Sequence, residues 1–250
     1  MIEIFVSDIH YPFEDPFAER LALKIMKAVQ PDLLVLGGDI VDCYDVSRFV
    51  KDPARRGSLP EEIAYARARL ALWVRWAKRT VMMEGNHENR LPRYLWTTAP
   101  AISKMLTIPH ELGLHDLGVE WRPLGQPWKV GDLIHIHGSE VGVGSTYVAR
   151  NMFNRSAGNV IFGHHHVFQM YLHARARQRE LFGAWANGCL CKLDPEYVLW
   201  PNWQQGLTIV EYSGKGYFHV DQIPFFSTSA ATHLYATFGS QTFSVPLKGE

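Results

Sequence analysis

Over the first ninety residues, short unbroken apolar runs alternate with longer stretches in which apolar positions recur every three or four residues. "IEIFVSD", "PDLLVLGGD" and "TVMMEGNHE" are of the first kind, and the pattern predicts three buried strands that each stop at a polar cluster. Between them, Asp15 and Pro16 form a helix start ahead of Leu21, Leu23, Ile25, Met26 and Val29, with Pro31 beyond the end. "PEEIAYARARLALWVRWAKR" is the second helix, with Pro60 and two glutamates at its start and basic residues at its end, as the helix dipole prefers. Trp73, Trp76 and Leu72 on that helix read as core beneath a solvated basic face. The order β-α-β-α-β predicts a parallel sheet covered by helices.

The pattern changes after residue 88. Residues 88–117 carry prolines at 92, 100 and 109 and predict broken helix and loop. "GVEWRPL", "PWKV" and "DLIHIHG" follow as strands, "STYVARNMFN" as a helix, and "NVIFGHHH", "VFQMYLHAR", "ELFGAWANG", "GLTIVEYS" and "GYFHVDQI" as further strands. Gly-containing turns between the late strands predict antiparallel hairpins in a second sheet. The expected fold class is α/β, with two sheets packed face to face and helices outside. Residues 1–223 form the expected catalytic domain. Residues 224–250, rich in Ser, Thr and aromatics and nearly free of charge, form a C-terminal extension expected to support self-association.

Composition narrows the function classes only a little. Lys plus Arg and Asp plus Glu balance at 25 each, so no global field draws the chain to nucleic acid or to an anionic membrane. Three cysteines make no disulfide framework, and the start "MIEIFVSDIHYPFEDP" lacks the basic region of a signal peptide. No apolar run approaches the ~18–20 residues of a membrane span. The expectation is a cytoplasmic protein with no membrane partner.

The chemistry lies where the apolar runs stop. Strand exits deliver Asp8 and His10, Asp39 and Asp42, Asn86 and His87, His137, and the run His164 to His166. In open α/β sheets such exits share one edge. Asp8, His10, Asp39 and His166 suit one divalent cation; Asp39 can bridge to a second held by Asn86, His137 and His164. Two ions ~3.5–4 Å apart serve in-line displacement at phosphorus. On an extended segment His164 and His166 face one way and His165 the other. Glycines before Asp39, Asn86 and His164 let the backbone turn sharply and leave room for ions and substrate. Two divalent ions against the two ligating aspartates leave positive charge to activate water and hold phosphate. Mixed oxygen and nitrogen donors favour manganese, with iron, zinc, cobalt or nickel also compatible. His135 competes with His137 for the ligand role and reads as the core residue of the two. Asp42 reads as the acceptor that orients a ligating histidine. Cys189 and Cys191 form a lone C-x-C with no second pair and are not assigned to metal. His110, His115, His173, His219 and His233 read as surface residues.

These motifs, Asp8-Ile9-His10, Gly38 to Asp42, Gly85 to Glu88, His137-Gly138 and Gly163 to His166, occur in the order that resembles the calcineurin-like metallophosphoesterase superfamily. "WANGCL" resembles the Asn-Gly strand that usually follows, and "GDIVDCYDVSRF" and "GNHENRL" resemble phosphoesterases carried by phages and prophages. The resemblance implies a four-layer fold with two mixed sheets, two metals, and a metal-bridging hydroxide as nucleophile. It also implies that His87 donates a proton to the leaving oxygen. Protein phosphatases of the superfamily carry an arginine after the second motif aspartate. Cys43 stands there instead, and Arg90 is the candidate to contact phosphate in its place. The expected substrate is a phosphoester, a nucleotide or nucleic acid among the options. A nuclease using a basic groove of Arg55, Arg56, Arg90, Arg93 and Arg150, and a non-catalytic binding protein, stand as alternatives.

Overall fold

The computed structural model describes residues 1–51, 57–142, 145–174, 181–195, 200–228, 230 and 232–248. The first half follows the predicted order: β1 (Ile2–Val6), α1 (Pro16–Val29), β2 (Leu33–Leu36), α2 (Leu59–Val74), β3 (Arg79–Met83), α3 (Arg90–Thr98), the short α4 (Ile108–Glu111) and β4 (Val119–Arg122). Asp15 caps α1 by accepting from the Phe17 and Ala18 N–H groups at 2.8 and 3.1 Å. Glu61 reaches back to the Ser58 N–H at 2.8 Å at the start of α2. Trp73 is fully buried, whereas Leu72 and Trp76 are only half-buried, because α2 ends at Val74 and Trp76 lies beyond it.

The second half supplies β5 (Trp128–Val130), β6 (Leu133–His135), α5 (Val148–Ser156), β7 (Val160–Phe162), β8 (Gln169–Ala174), β9 (Leu181–Ala186), β10 (Gly206–Gly214) and β11 (Tyr217–Pro224). The first sheet has the order β11-β10-β1-β2-β3-β4 and the second β5-β6-β7-β9-β8. β1 to β4 run parallel, and β6, β7 and β9 run parallel in the second sheet. The β10–β11 hairpin forms as predicted but joins the first sheet, antiparallel to β1, and not the second. Hairpin signals are local, whereas the choice of sheet depends on which edge strand is open.

The unbroken apolar runs follow from burial on both faces. Ile4 and Val6 of β1 pack with α1 and α2, while Phe5 faces the second sheet together with Leu33, Val35, Val81, Leu133, Ile161 and Trp185. Val160 and Phe162 of β7 face outward onto Val148 and Met152 of α5. The result is four layers, helix, sheet, sheet, helix.

Beyond β11, β12 (Phe226–Ser227), β13 (His233–Phe238) and β14 (Gln241–Pro246) form a separate three-stranded antiparallel sheet. Leu234, Ala236, Phe243 and Val245 are buried with Leu21, Ile25 and other residues of α1, so these apolar side chains of the tail are used against that helix. Among the described residues no helix is long and apolar enough to cross a membrane.

Candidate metal centre

The loops after β1 and β2 run side by side and are laced together. The Asp8 N–H donates to the Gly38 carbonyl and the His10 N–H to the Asp39 carbonyl, both at 3.0 Å. Glu88 ties in the third loop, its buried carboxylate accepting from the N–H groups of Asp39, Ile40, Val41 and Gly85 at 2.7–3.0 Å. Sequence reasoning assigned Glu88 no role. Its only signal was a carboxylate placed after a polar cluster at a strand exit, with no cation of its own.

Asp8, His10, Asp39, His164 and His166 all adopt positive φ, between 53° and 68°. Left-handed backbone costs a residue with a side chain on the order of 1–2 kcal/mol. Five such residues among seven candidate ligands mark a site that the surrounding fold forces into shape. The histidine run is therefore not extended as expected. Two left-handed residues turn His164 and His166 inward, while the His165 ring lies edge-on to Phe162, 6.0 Å away. The glycines divide the two expected roles between them, and the room they leave is taken by the carboxylates. Gly38 has φ 93°, but Gly85 and Gly163 provide room: a Cβ there would lie 2.1 Å from Asp39 Oδ1 and 2.5 Å from Asp8 Oδ2.

The predicted residues come together in two groups that share Asp39. In one, His166 Nε2 lies 3.3 Å from Asp8 Oδ1 and 3.3 Å from His10 Nε2. In the other, His137 Nε2 lies 3.0 Å from Asn86 Oδ1 and 3.2 Å from Asp39 Oδ2, and the ligand atoms of Asp39, His137 and His164 fall within 4.8 Å of one another. Asp39 Oδ2 is also 4.0 Å from His10 Nε2, which puts it between the groups. His137 comes from the loop beyond β6, whose last residue is His135. His135 itself is buried between the sheets, with Nε2 2.7 Å from Glu3 Oε1.

Asp42 sits behind both His10 and His87, its Oδ2 3.2 Å from the Nδ1 atom of each. Arg90 donates from Nη1 to the Asp42 carbonyl and Oδ1 at 2.8 and 3.1 Å, and from Nη2 to His87 Nε2 at 2.8 Å. His10, Asp39 and His87 also bring potential ligand atoms within 4.8 Å. The Arg90 donor on His87 Nε2 and the Asp42 contact on Nδ1 occupy both ring nitrogens, so the geometry does not favour His87 as a ligand. Arg93 and Arg150 are exposed, and Arg55 and Arg56 lie outside the described residues. Cys191 Sγ, from the C-x-C left without a metal role, lies 3.7 Å from His166 Nδ1, and His10, His166 and Cys191 also bring potential ligand atoms within 4.8 Å of one another.

Electrostatics follow from this crowding. Burial pushes the Asp39 carboxyl up, but His137 and His87 overrule it and hold it well below the carboxylate range. Burial disfavours a charged His137, yet Asp39 and Asp8 raise it to about 10; His166 is raised to about 9 against burial, chiefly by Asp8. His164 is pushed down to about 3 by burial and by His137.

The donor set fits a cation. His137 Nδ1 lies 2.9 Å from the Gly37 carbonyl, which takes the single proton of a neutral ring. Nε2 then offers a lone pair toward two further oxygens, an arrangement that only a cation or an extra proton completes.

The chain is similar to proteins already known. A family model described as calcineurin-like phosphoesterase matches residues 4–168, a span that contains every candidate ligand. The chain is 26% identical over 229 residues to the Gene 54 protein of Mycobacterium phage D29, covering 85% of this chain and 89% of that protein. Among solved structures, Vps29 of Chaetomium thermophilum aligns over 98% of this chain and 97% of its own, at TM-score 0.48 and 8% identity. The phosphoesterase Yfce from E. coli aligns over 84% of this chain and 88% of its own, at TM-score 0.40 and 17% identity.

Proposed function

This chain belongs to the calcineurin-like phosphoesterase family, and from that premise we propose that it hydrolyses phosphoesters with the help of two divalent cations. The observation that carries the reading is His137, whose Nε2 faces Asn86 and Asp39 oxygens after its one neutral-ring proton has gone to Gly37. Asp8, His10, Asp39 and His166 would hold one ion, and Asp39, Asn86, His137 and His164 the other. Nitrogen and oxygen donors of this kind suit manganese, iron, zinc, cobalt or nickel. When bound, such a pair supplies an activated water and neutralises phosphate charge.

The remaining residues handle orientation and protons. Asp42 fixes the ring of His10 and the ring of His87 through their Nδ1 atoms. His87 is the proposed proton donor to the leaving oxygen; its Nε2 accepts from Arg90 in this structure, so it would have to part from Arg90 and take up a proton before giving one. With its terminal nitrogens engaged on Asp42 and His87, Arg90 acts first as a brace. A non-catalytic binding role has less support, since none of the seven candidate ligands is replaced. The phage relative supports a phage-encoded enzyme.

The test is a manganese-supplemented panel of phosphomonoesters, phosphodiesters, cyclic nucleotides and nucleic acids, run with the full chain. Hydrolysis of at least one class that stops on chelation and returns with Mn²⁺ is the expected result. Cleavage confined to DNA or RNA would specify a nuclease. Full activity in metal-free protein would overturn the proposal.

A further inference from the structure

A histidine that ligates through Nε2 works best when Nδ1–H is held by an acceptor, which fixes both tautomer and ring angle. Two candidate ligands have a conventional acceptor: His137 has the Gly37 carbonyl at 2.9 Å and His10 has Asp42 Oδ2 at 3.2 Å. His166 differs. Its Nε2 faces Asp8 and His10, and its Nδ1 faces the sulfur of Cys191 at 3.7 Å.

That sulfur is not free to drift. The Cys191 N–H donates to the Asp8 carbonyl at 3.2 Å, and the Cys191 carbonyl accepts from Gln205 Nε2 at 2.9 Å. Cys191 also bridges to Glu14, and it is 4% exposed. From the other side, Trp203 meets the His166 ring edge-on at 4.2 Å between centroids. The Cys191 backbone and the His166 ring are thus each held by other contacts, and the sulfur and Nδ1 meet at 3.7 Å.

We propose that Cys191 is a positioning residue for the metal centre, its sulfur holding the His166 ring so that Nε2 points toward Asp8 and His10. The inference rests on the metal-centre reading above and adds to it a sulfur that touches a ligand without binding the ion. Cys189, two residues earlier and also buried, hydrogen-bonds the Cys191 thiol and is an electrostatic neighbour of His166, so it belongs to the same cluster at one remove.

The experiment is calorimetric titration of Mn²⁺ into metal-free full-length protein, for wild type, Cys191→Ala, Cys191→Val, Cys191→Ser and Cys189→Ala. Cys191→Val keeps the volume and removes the acceptor, so it carries the test if Cys191→Ala folds poorly. Ala and Val should weaken one of two Mn²⁺ ions about 10–100-fold, the usual cost of losing a ligand's outer partner. Ser, which can still accept from Nδ1–H but on a shorter side chain, should recover part of that loss, and Cys189→Ala should weaken the ion less than Cys191→Val does. Wild-type affinity in both Cys191→Ala and Cys191→Val overturns the inference. So does a thiolate-to-cobalt charge-transfer band in the Co²⁺-loaded wild type that disappears in Cys191→Ser, since Cys191 would then be a ligand. Wild type that binds no Mn²⁺ would instead bring down the metal-centre reading and this inference with it, a failure visible before any variant is compared.

Discussion

His135 and His137 lie two residues apart on one segment, both fully or almost fully buried and both beside a carboxylate, yet only His135, whose Nδ1 is buried without a partner, is asked for no more than one proton. His135 gives one proton to Glu3 Oε1 at 2.7 Å, and Tyr212 gives another to Glu3 Oε2 at 2.9 Å. A neutral imidazole has one proton and here it is needed once. His137 spends its proton on Gly37 and still faces Asn86 and Asp39. The residue types are the same, so chemistry at a buried histidine is decided by how many protons its surroundings demand. Where the demand exceeds one, a second proton or a cation would meet it.

The strongest way to break this comparison is to remove the shared acceptor. Asp39→Asn should lower hydrolysis by several orders of magnitude and reduce bound metal below two ions per chain, because both ligand groups depend on that carboxylate. His164→Ala should do the same through the second group. Metal analysis by mass spectrometry, read beside kcat/KM, checks the pair. Normal metal content in Asp39→Asn would show that the two groups do not share this residue.

His87 sharpens the contrast, since Asp42 and Arg90 occupy both of its nitrogens without any ion. His87→Asn should therefore retain both metals. It should lose about 10²–10⁴-fold on alkyl or sugar phosphoesters, and little on nitrophenyl esters whose leaving group needs no proton. Equal losses on the two substrate types, or loss of metal, would leave His87 as a structural residue.

Much of this was legible in the sequence, for reasons that are local. Apolar runs ending in Asp, Asn and His name strands and their exits, and five of those exits come together because β1, β2 and β3 run parallel in one sheet and β6 and β7 in the other. What could not be read was anything that needs a third element. Glu88 gathers four N–H groups from two loops, and no spacing along the chain announces it. Cys191 meets His166 because the Asp8 carbonyl and Gln205 hold its backbone there. The left-handed residues at His164 and His166 gave the inward direction expected of an extended strand, but by a different backbone.

The structural member of the comparison should fail differently. His135→Ala leaves the buried Glu3 carboxylate short of one donor, which typically costs about 1–3 kcal/mol of stability. Metal content and kcat/KM should stay near wild type at temperatures where the variant is folded. Chemical denaturation with and without Mn²⁺ separates the two effects, and a metal deficit in folded His135→Ala would show that the two histidines are not independent.

The smallest effect concerns the proton that stands in for the cation. Asp39 and Asp8 raise His137 to about 10, and Asp8 raises His166 to about 9, both against burial, so both rings are charged in metal-free protein near neutral pH. Folded values above the unfolded one mean that this stabilisation is complete below the unfolded pKa of about 6.5 and fades as pH rises through 9 to 10. A cation needs the neutral ring, so each ion must expel a proton, and affinity gains at most about tenfold per proton per pH unit. Mn²⁺ binding should therefore tighten between about pH 7 and about pH 8.5, with proton release seen as a dependence of the binding heat on buffer ionisation enthalpy. If the same titration in His137→Ala, with whatever affinity remains, shows less proton release per ion, the proton came from His137. A pH-independent affinity in wild type would mean that His137 is already neutral, and that Asn86 and Asp39 are satisfied in some other way.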